Sequence, residues 1–266
     1  MNAGDAVKAF EAQWAIPENK KKIEAAIDTF TGNMLDLFEE HDVALPTTGE
    51  FARDTYIYPF VRTLKNVDFV NLKKHCVRGT RVWDTPAIIG KVSLREEIVS
   101  GWDPLKEWQV CQNIADQKAA KLGKKPKMIK MTIPGPMTTA DTIAFGENDH
   151  GYKSEEEMPI KREVQEDIIP VLQHWIKELI KNGCKHIQID EPVFARSAYI
   201  EAALDYGFDN LDKVMSVVDS DPDIREMAKD VIFSVHMCRG YPRCLDDEGY
   251  AHADAENYIK MAERVD

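Results

Sequence analysis

The feature of this sequence that most constrains its fold is an alternation of amphipathic helices with single, short apolar segments. Apolar residues at helical spacing predict helices over 19–40, 104–122, 155–181, 198–206, 209–217, 222–229 and 253–264. Short apolar runs predict strands at 43–45, 80–90, 128–133, 187–189 and 231–235. Single buried strands separated by helices pair in parallel through crossover helices, so the sequence predicts an α/β fold with a parallel sheet.

Three of these predicted elements carry local qualifications. In the helix over 19–40, the core-facing stripe is predicted to include Phe30. Pro86 weakens the strand prediction for 80–90, since proline cannot donate to a sheet. Pro170 is expected to kink or divide the helix over 155–181, because proline removes an interior hydrogen bond.

Composition excludes several classes of protein. The chain has 266 residues, 44% of them hydrophobic, and a net charge of −12, so it can bury a core but lacks the basic surface that binds nucleic acid. It has no run of 18 apolar residues and no signal-peptide pattern, so no membrane association is expected. Five scattered cysteines form no disulfide framework. These observations predict a reduced, cytoplasmic protein.

Polar clusters follow three of the predicted apolar segments. They are Gly49-Glu50, Asp190-Glu191 and His236-x-Cys238. Functional groups collect at the carboxyl ends of the strands in parallel α/β architectures. The three clusters are therefore expected to share one site.

His236 and Cys238 form a candidate metal site. Residues two apart on a strand point to the same face, and an imidazole with a thiolate is half of a tetrahedral zinc site. Taken alone, the pattern is more often a core cysteine beside a capped histidine. Cys244, in the loop after Pro242, is interpreted as a bystander.

The acidic residues have two interpretations. Asp190 and Glu191 are adjacent on a strand end, so only one of them can face a central site, where a carboxylate binds a substrate ammonium. The alternative is a turn or helix-capping carboxylate before Pro192. Glu50 is open to the same two interpretations, with Arg53 and Asp54 as nearby structural partners.

Taken together, these motifs resemble the catalytic barrel of the cobalamin-independent methionine synthases and their smaller homologues, over about residues 20–266. The segments that carry the resemblance are Thr48-Gly49-Glu50-Phe51-x-Arg53, Asp84-Thr85-Pro86, Pro134-Gly135-Pro136-Met137-Thr138, Gly183-Cys184, Ile187-Gln188-Ile189-Asp190-Glu191-Pro192 and His236-Met237-Cys238-Arg239-Gly240.

The resemblance implies a (β/α)₈ TIM barrel with a catalytic Zn²⁺ that binds the thiol of homocysteine. It implies that His236 and Cys238 are zinc ligands, and that Glu50 and Asp190 hold the substrate amino group. The family's other ligands, a glutamate and a second cysteine, lie on later strands. About five of eight strands are predicted here, so residues 1–266 are expected to form a single, truncated barrel domain.

The function implied is zinc-dependent methyl transfer to homocysteine from a methyl or alkyl donor. The pteridine-stacking tryptophan of the family is absent, and Asp141-Thr142-Ile143 stands there instead. One alternative is alkylation of another small thiol, such as coenzyme M, by an epoxide. A second is a non-catalytic split-barrel subunit, completed by a partner chain that supplies the missing strands or by self-association. A decarboxylase of the uroporphyrinogen type is a weaker third, since His236-x-Cys238 favours thiol chemistry.

Overall fold

Two three-stranded sheets organise the chain in a computed structural model that describes residues 3–77, 81–97, 102–146, 161–197, 201–238 and 255–265. The helices are α1 (Ala3–Trp14), α2 (Pro17–Glu40), α3 (Tyr58–Val61), α4 (Pro104–Leu122), α5 (Pro136–Thr142), α6 (Arg162–Lys181), α7 (Phe194–Ser197), α8 (Glu201–Met215), α9 (Pro222–Ala228) and α10 (Ala255–Val265). The strands are β1 (Leu64–Val77), β2 (Arg81–Leu94), β3 (Met131–Pro134), β4 (Ala144–Phe145), β5 (His186–Asp190) and β6 (Ile232–His236).

The parallel sheet has the order β3-β5-β6, and every pairing in it is parallel. Asp190 pairs with Pro134 on one side and with His236 on the other, so three strands end at one level. Helix α6 crosses over from β3 to β5, and α8 and α9 lie between β5 and β6 in the chain. This is the local topology of a (β/α)₈ barrel.

The predicted strand at 43–45 is wrong. Val43 has no regular structure and Ala44 and Leu45 form a bend, and the chain instead makes an isolated parallel bridge between Thr47 and Lys130, with Lys130 N donating to Pro46 O at 2.8 Å. The bridge places this segment beside β3, on the side away from β5. The apolar run 43–45 misleads the prediction because the residue that pairs, Thr47, is polar and follows the run.

The second sheet is built on a long hairpin. Strands β1 and β2 pair antiparallel, and β2 also pairs with β4. The extended segment predicted around 80–90 is confirmed as β2, whereas β1 was not predicted. Pro86 lies between Thr85, paired with Lys73, and Ala87, paired with Asp68, where the register shifts. A bulge demands no ladder donor from proline, which explains why Pro86 is tolerated.

Most predicted helices are confirmed, with changed limits. Helix α6 is continuous through the exposed Pro170, so the expectation that proline divides it is wrong. Phe30 is 54% exposed and does not join the core, while Ile27 and Leu35 of α2 are buried. The two helices predicted over 198–206 and 209–217 are one, α8, followed by a 3₁₀ turn at Ser216–Asp219. Residues 155–160 and 198–200 lie outside the described part of the chain.

The main core lies between the parallel strands and α6. Ile187 and Ile189 of β5 are buried in the same cluster as Ile168, Leu172 and Leu179 of α6. The apolar faces of the strands are therefore covered by helix, which leaves the opposite face for polar groups. No helix in the described ranges combines the length and the apolarity needed to span a bilayer.

Candidate functional site

A chain of polar contacts runs along the sheet face opposite the core. Lys130 Nζ donates to Gln188 Oε1 at 2.7 Å, and Gln188 Nε2 donates to Asp190 Oδ1 at 2.7 Å. Gln188 and Asp190 are two apart on β5, so they share a face that Ile187 and Ile189 do not. This face ends in the predicted site residue Asp190.

Asp190 lies directly beside His236. The Oδ1 of Asp190 is 3.3 Å from Nδ1 of His236, and the two residues are paired across β5 and β6. Asp190 is buried, whereas the His236 side chain is 45% exposed. The structure therefore brings together two of the four predicted site residues, a buried carboxylate and an accessible imidazole.

The neighbouring Glu191 points elsewhere. Its Oε1 accepts a hydrogen bond from Met137 N at 2.9 Å, and its Oε2 accepts from Thr138 N at 2.8 Å and from Thr138 Oγ1 at 2.6 Å. Burial raises the pKa of Glu191 to about 7, while these three donors act to lower it. A Cβ on Gly135 would lie 2.2 Å from Glu191 Oε1, so only glycine fits beside this carboxylate. Glu191 holds the first turn of α5, and Asp190 is the acid that lies on the polar face, beside His236.

Glu50 is presented by an unusual turn. Gly49 and Glu50 both have left-handed backbone, with φ of 73° and 59°. Residues other than glycine rarely adopt this backbone conformation, and they keep it where surrounding contacts hold it in place. Glu50 Oε1 accepts from Thr132 Oγ1 at 2.9 Å and from Arg53 Nη1 at 2.9 Å. The turn thus directs Glu50 against β3, the strand that pairs with β5.

Arg53 connects Glu50 to a second, buried carboxylate. Its Nε lies 2.8 Å from Oε2 of Glu107, and its Nη2 lies 2.9 Å from Glu107 Oε1 and 2.9 Å from Thr132 O. Burial by itself lowers the pKa of Arg53, but the charges of Glu107, Glu50 and Asp190 outweigh it and raise that pKa. The charges of both predicted ammonium-binding acids, Glu50 and Asp190, therefore act on one guanidinium.

Sequence reasoning missed Glu107. The signal was its place four residues before Cys111 on α4, since both side chains then lie on the helix face that becomes buried. Arg53 was correctly expected to contact Glu50, but Asp54, the second expected neighbour, makes no described contact with Glu50. Asp54 instead makes a two-pronged ion pair with Arg62, with both contacts at 2.8 Å.

Cys238 follows β6, which ends at His236, and its side chain is half-buried. Within the described ranges, no group of three or more histidine, cysteine or acidic residues is arranged to hold a metal. Cys244, Arg239 and Gly240 lie outside those ranges. The assignment of His236 and Cys238 as zinc ligands stays a prediction.

Comparisons with known proteins find similarity to the same kind of enzyme that the motifs resemble. No protein-family model matches the chain. A methionine synthase of Saccharolobus solfataricus is 26% identical over 168 residues, which are 62% of this chain and 43% of that protein. A methionine synthase of Sulfolobus acidocaldarius is 24% identical over 188 residues, 70% of this chain and 48% of that protein.

A longer relative and a solved structure agree. The 5-methyltetrahydropteroyltriglutamate–homocysteine methyltransferase of Thermotoga sp. is 25% identical over 69% of this chain and 22% of its own length. A B12-independent methionine synthase of Shewanella, solved with selenomethionine, is 22% identical and superimposes with a TM-score of 0.62 over 83% of this chain and 54% of its own. The predicted fold class, an incomplete (β/α)₈ barrel, is confirmed.

The chain spans less than half the length of these curated relatives. Their identities are low, but the matches extend over 62–70% of this chain. The motifs that carried the resemblance lie in the strand ends and turns described above. By sequence, this chain is similar to part of the methionine synthases, and its fold is similar to that of a B12-independent methionine synthase.

Proposed function

We propose that this chain binds homocysteine and takes part in zinc-dependent methyl transfer to its thiol, which forms methionine. The observation that carries the proposal is that Glu50 bonds to Thr132 on β3, beside the stretch of β5 that ends in Asp190, with His236 in contact with Asp190. Homocysteine has an ammonium for the carboxylates and a thiol for a metal. The relatives named as methionine synthases support the same reaction.

The donors present fit zinc as part of its ligand set. Zinc-binding histidines commonly direct their second ring nitrogen at a carboxylate, as His236 Nδ1 is directed at Asp190. His236 and Cys238 would hold the ion, with further ligands from outside the described residues or from the substrate. Bound zinc would deprotonate the substrate thiol at neutral pH, making it a nucleophile.

The protein's own residues bind and orient the substrate. Asp190 and Glu50 accept charge-assisted hydrogen bonds from the ammonium, and Asp190 Oδ2 is not used by either Gln188 or His236. In the transfer, a bond forms between sulfur and the methyl carbon while the bond from methyl to its donor breaks. The thiol proton is released and the departing donor takes one up.

We propose the methylated pteroyl-triglutamate named for the Thermotoga relative as the donor. We also propose that residues 1–266 form one domain, completed by further barrel strands from a partner chain or by self-association. Cys76, Cys111 and Cys184, among the described residues, are not in disulfides, which supports a reducing, cytoplasmic setting.

The proposal is tested by incubating the zinc-loaded chain with homocysteine and the methylated donor and quantifying methionine by mass spectrometry. Cys238→Ser is expected to abolish formation of methionine, because a neutral hydroxyl is a poor zinc ligand. Cys76→Ser changes an exposed thiol on β1 and is the matched control. Alkylation of coenzyme M by an epoxide, with no methionine formed from homocysteine, would contradict the proposal.

A further inference from the structure

Glu107 and Arg53 form a buried pair behind the proposed ammonium site. The side chains are 6% and 3% exposed, and Glu107 accepts three hydrogen bonds from Nε and Nη2 of Arg53 and one from Thr48 Oγ1. The remaining guanidinium nitrogen, Nη1, donates to Glu50 Oε1 at 2.9 Å. Glu107 therefore acts on the Glu50 side chain through Arg53, while Thr48, whose Oγ1 accepts from Glu50 N at 3.3 Å, links it to the Glu50 backbone.

The pair also sets the charge balance. Two carboxylates, Glu50 and Glu107, hydrogen-bond to one guanidinium, which leaves an excess of one negative charge. Glu107, which takes both Nε and Nη2 of Arg53, offsets most of the arginine charge. Without it, Arg53 would pair fully with Glu50, and Glu50 would offer less negative charge to a substrate ammonium.

The geometry supports the same division of roles. Thr132 contacts both Arg53 Nη2, through its carbonyl at 2.9 Å, and Glu50 Oε1, through its hydroxyl at 2.9 Å. Arg53 and Thr132 thus fix one oxygen of Glu50 from two sides. The Glu50 side chain is still 38% exposed, so it remains open to a ligand while it is held in place.

We propose that Glu107 and Arg53 are positioning residues, which orient the Glu50 carboxylate for the ammonium of the substrate. This inference rests on the proposed function, because it assigns the ammonium of homocysteine to Glu50. Neither residue touches the substrate in this proposal.

The chain contains a matched control pair. Asp54 and Arg62 also form a buried, two-pronged ion pair, with side chains 3% and 7% exposed. Neither residue contacts Glu50 in the described hydrogen bonds. Asp54→Asn therefore reproduces the loss of a buried carboxylate charge without disturbing Glu50.

The experiment measures dissociation constants by calorimetry for the zinc-loaded chain with L-homocysteine and with 4-mercaptobutanoate, which lacks only the amino group. Glu107→Gln is expected to weaken homocysteine about tenfold and to leave 4-mercaptobutanoate within about twofold. Asp54→Asn should leave both constants within about twofold. In a Glu50→Gln background, Glu107→Gln should add no further loss for homocysteine. Arg53→Lys, which keeps the charge but loses the fork, should behave like Glu107→Gln.

The outcomes separate the two levels of the argument. If the parent chain prefers homocysteine but Glu107→Gln and Arg53→Lys weaken both thiols equally, or act equally without Glu50, the positioning role is wrong and the proposed function stands. If the parent chain binds both thiols equally, the ammonium site itself is wrong, and the proposed function falls together with the inference.

Discussion

Asp190 and His236 face each other across β5 and β6, and Asp190 Oδ1 lies 3.3 Å from His236 Nδ1. The same oxygen accepts a hydrogen bond from Gln188 Nε2 at 2.7 Å. One buried carboxylate oxygen thus serves a proposed zinc ligand and a polar chain that runs back to Lys130. The proposed substrate contact and the proposed metal ligand are joined through a single side chain.

Asp190→Asn should weaken binding of homocysteine by about ten- to a hundredfold, since a charge-assisted hydrogen bond contributes about 1.5–3 kcal/mol. Binding of 4-mercaptobutanoate should change far less, because it has no ammonium. Calorimetry with both thiols measures the difference. Equal losses with the two ligands would show that Asp190 is structural.

Removal of either predicted zinc ligand should lower the bound metal. After dialysis, His236→Ala and Cys238→Ser should retain less zinc than the parent chain, whereas Cys76→Ser should retain the same amount. Since only two ligands are predicted here, a mild chelator should strip zinc even from the parent chain. Stoichiometric zinc that resists the chelator and depends on Cys244 would contradict this assignment. Metal content is measured by plasma mass spectrometry.

Gly49→Ala should cost more than Gly123→Ala, although both glycines have left-handed backbone, with φ of 73° and 63°. A Cβ at position 49 would lie 2.4 Å from Met34 Sδ, while one at 123 meets nothing within 4 Å. We expect losses of about 2–3 and about 1 kcal/mol in the free energy of unfolding, measured in urea. Only Gly49→Ala should also weaken homocysteine binding, because it displaces Glu50. Equal losses of unfolding free energy in both variants would show that the contact of position 49 with Met34 does not require glycine there.

His75 should make stability depend on pH. Burial, and then the charge of Lys161, lower its pKa from 6.5 to about 4, while its bond to Asp141 O opposes the shift. The unfolded chain therefore binds this proton first as the pH falls, so stability present above pH 6.5 is lost between 6.5 and about 4. His75→Gln keeps a donor for Asp141 O and should remove about 1–2 kcal/mol of this loss, after allowance for partial exposure. Urea unfolding of the parent chain and of His75→Gln at pH 7.0 and 4.5 gives the free energy of unfolding at each pH. An equal loss of that free energy in the two proteins would contradict the prediction.

The 266-residue chain should self-associate when expressed by itself. In the described residues, no strand pairs with β6 on the side away from β5, and Ile232 on that strand is 55% exposed. Open strand edges with apolar side chains promote association. Ile232→Lys should reduce association in sedimentation experiments, while Leu122→Lys, at an exposed position on α4, should not. A compact monomer with a sharp, cooperative melt would contradict the expectation.

The fold was predictable where burial is periodic along the chain. The stripe of α6 and the runs in β5 and β6 are local patterns that record which face meets the core. Strand β1 was not predicted, because its segment Leu64–Val77 mixes charged and apolar residues and is held by pairing with β2. Such pairing is a non-local property that no single window of sequence contains.

For the site, the order of residues is enough to predict the chemistry at the strand ends: a carboxylate at Asp190, an imidazole at His236 and a thiol at Cys238. That Asp190 faces the polar side while Glu191 binds α5 depends on strand pairing, which sets the direction of each side chain and is visible in the folded chain alone. The tertiary structure also decided that Glu107, on a distant helix, neutralises Arg53 beside Glu50. A buried charge is stable only beside an opposite charge or hydrogen-bonding groups. Packing between elements that are distant in the chain supplies that partner, so the order of residues does not reveal it.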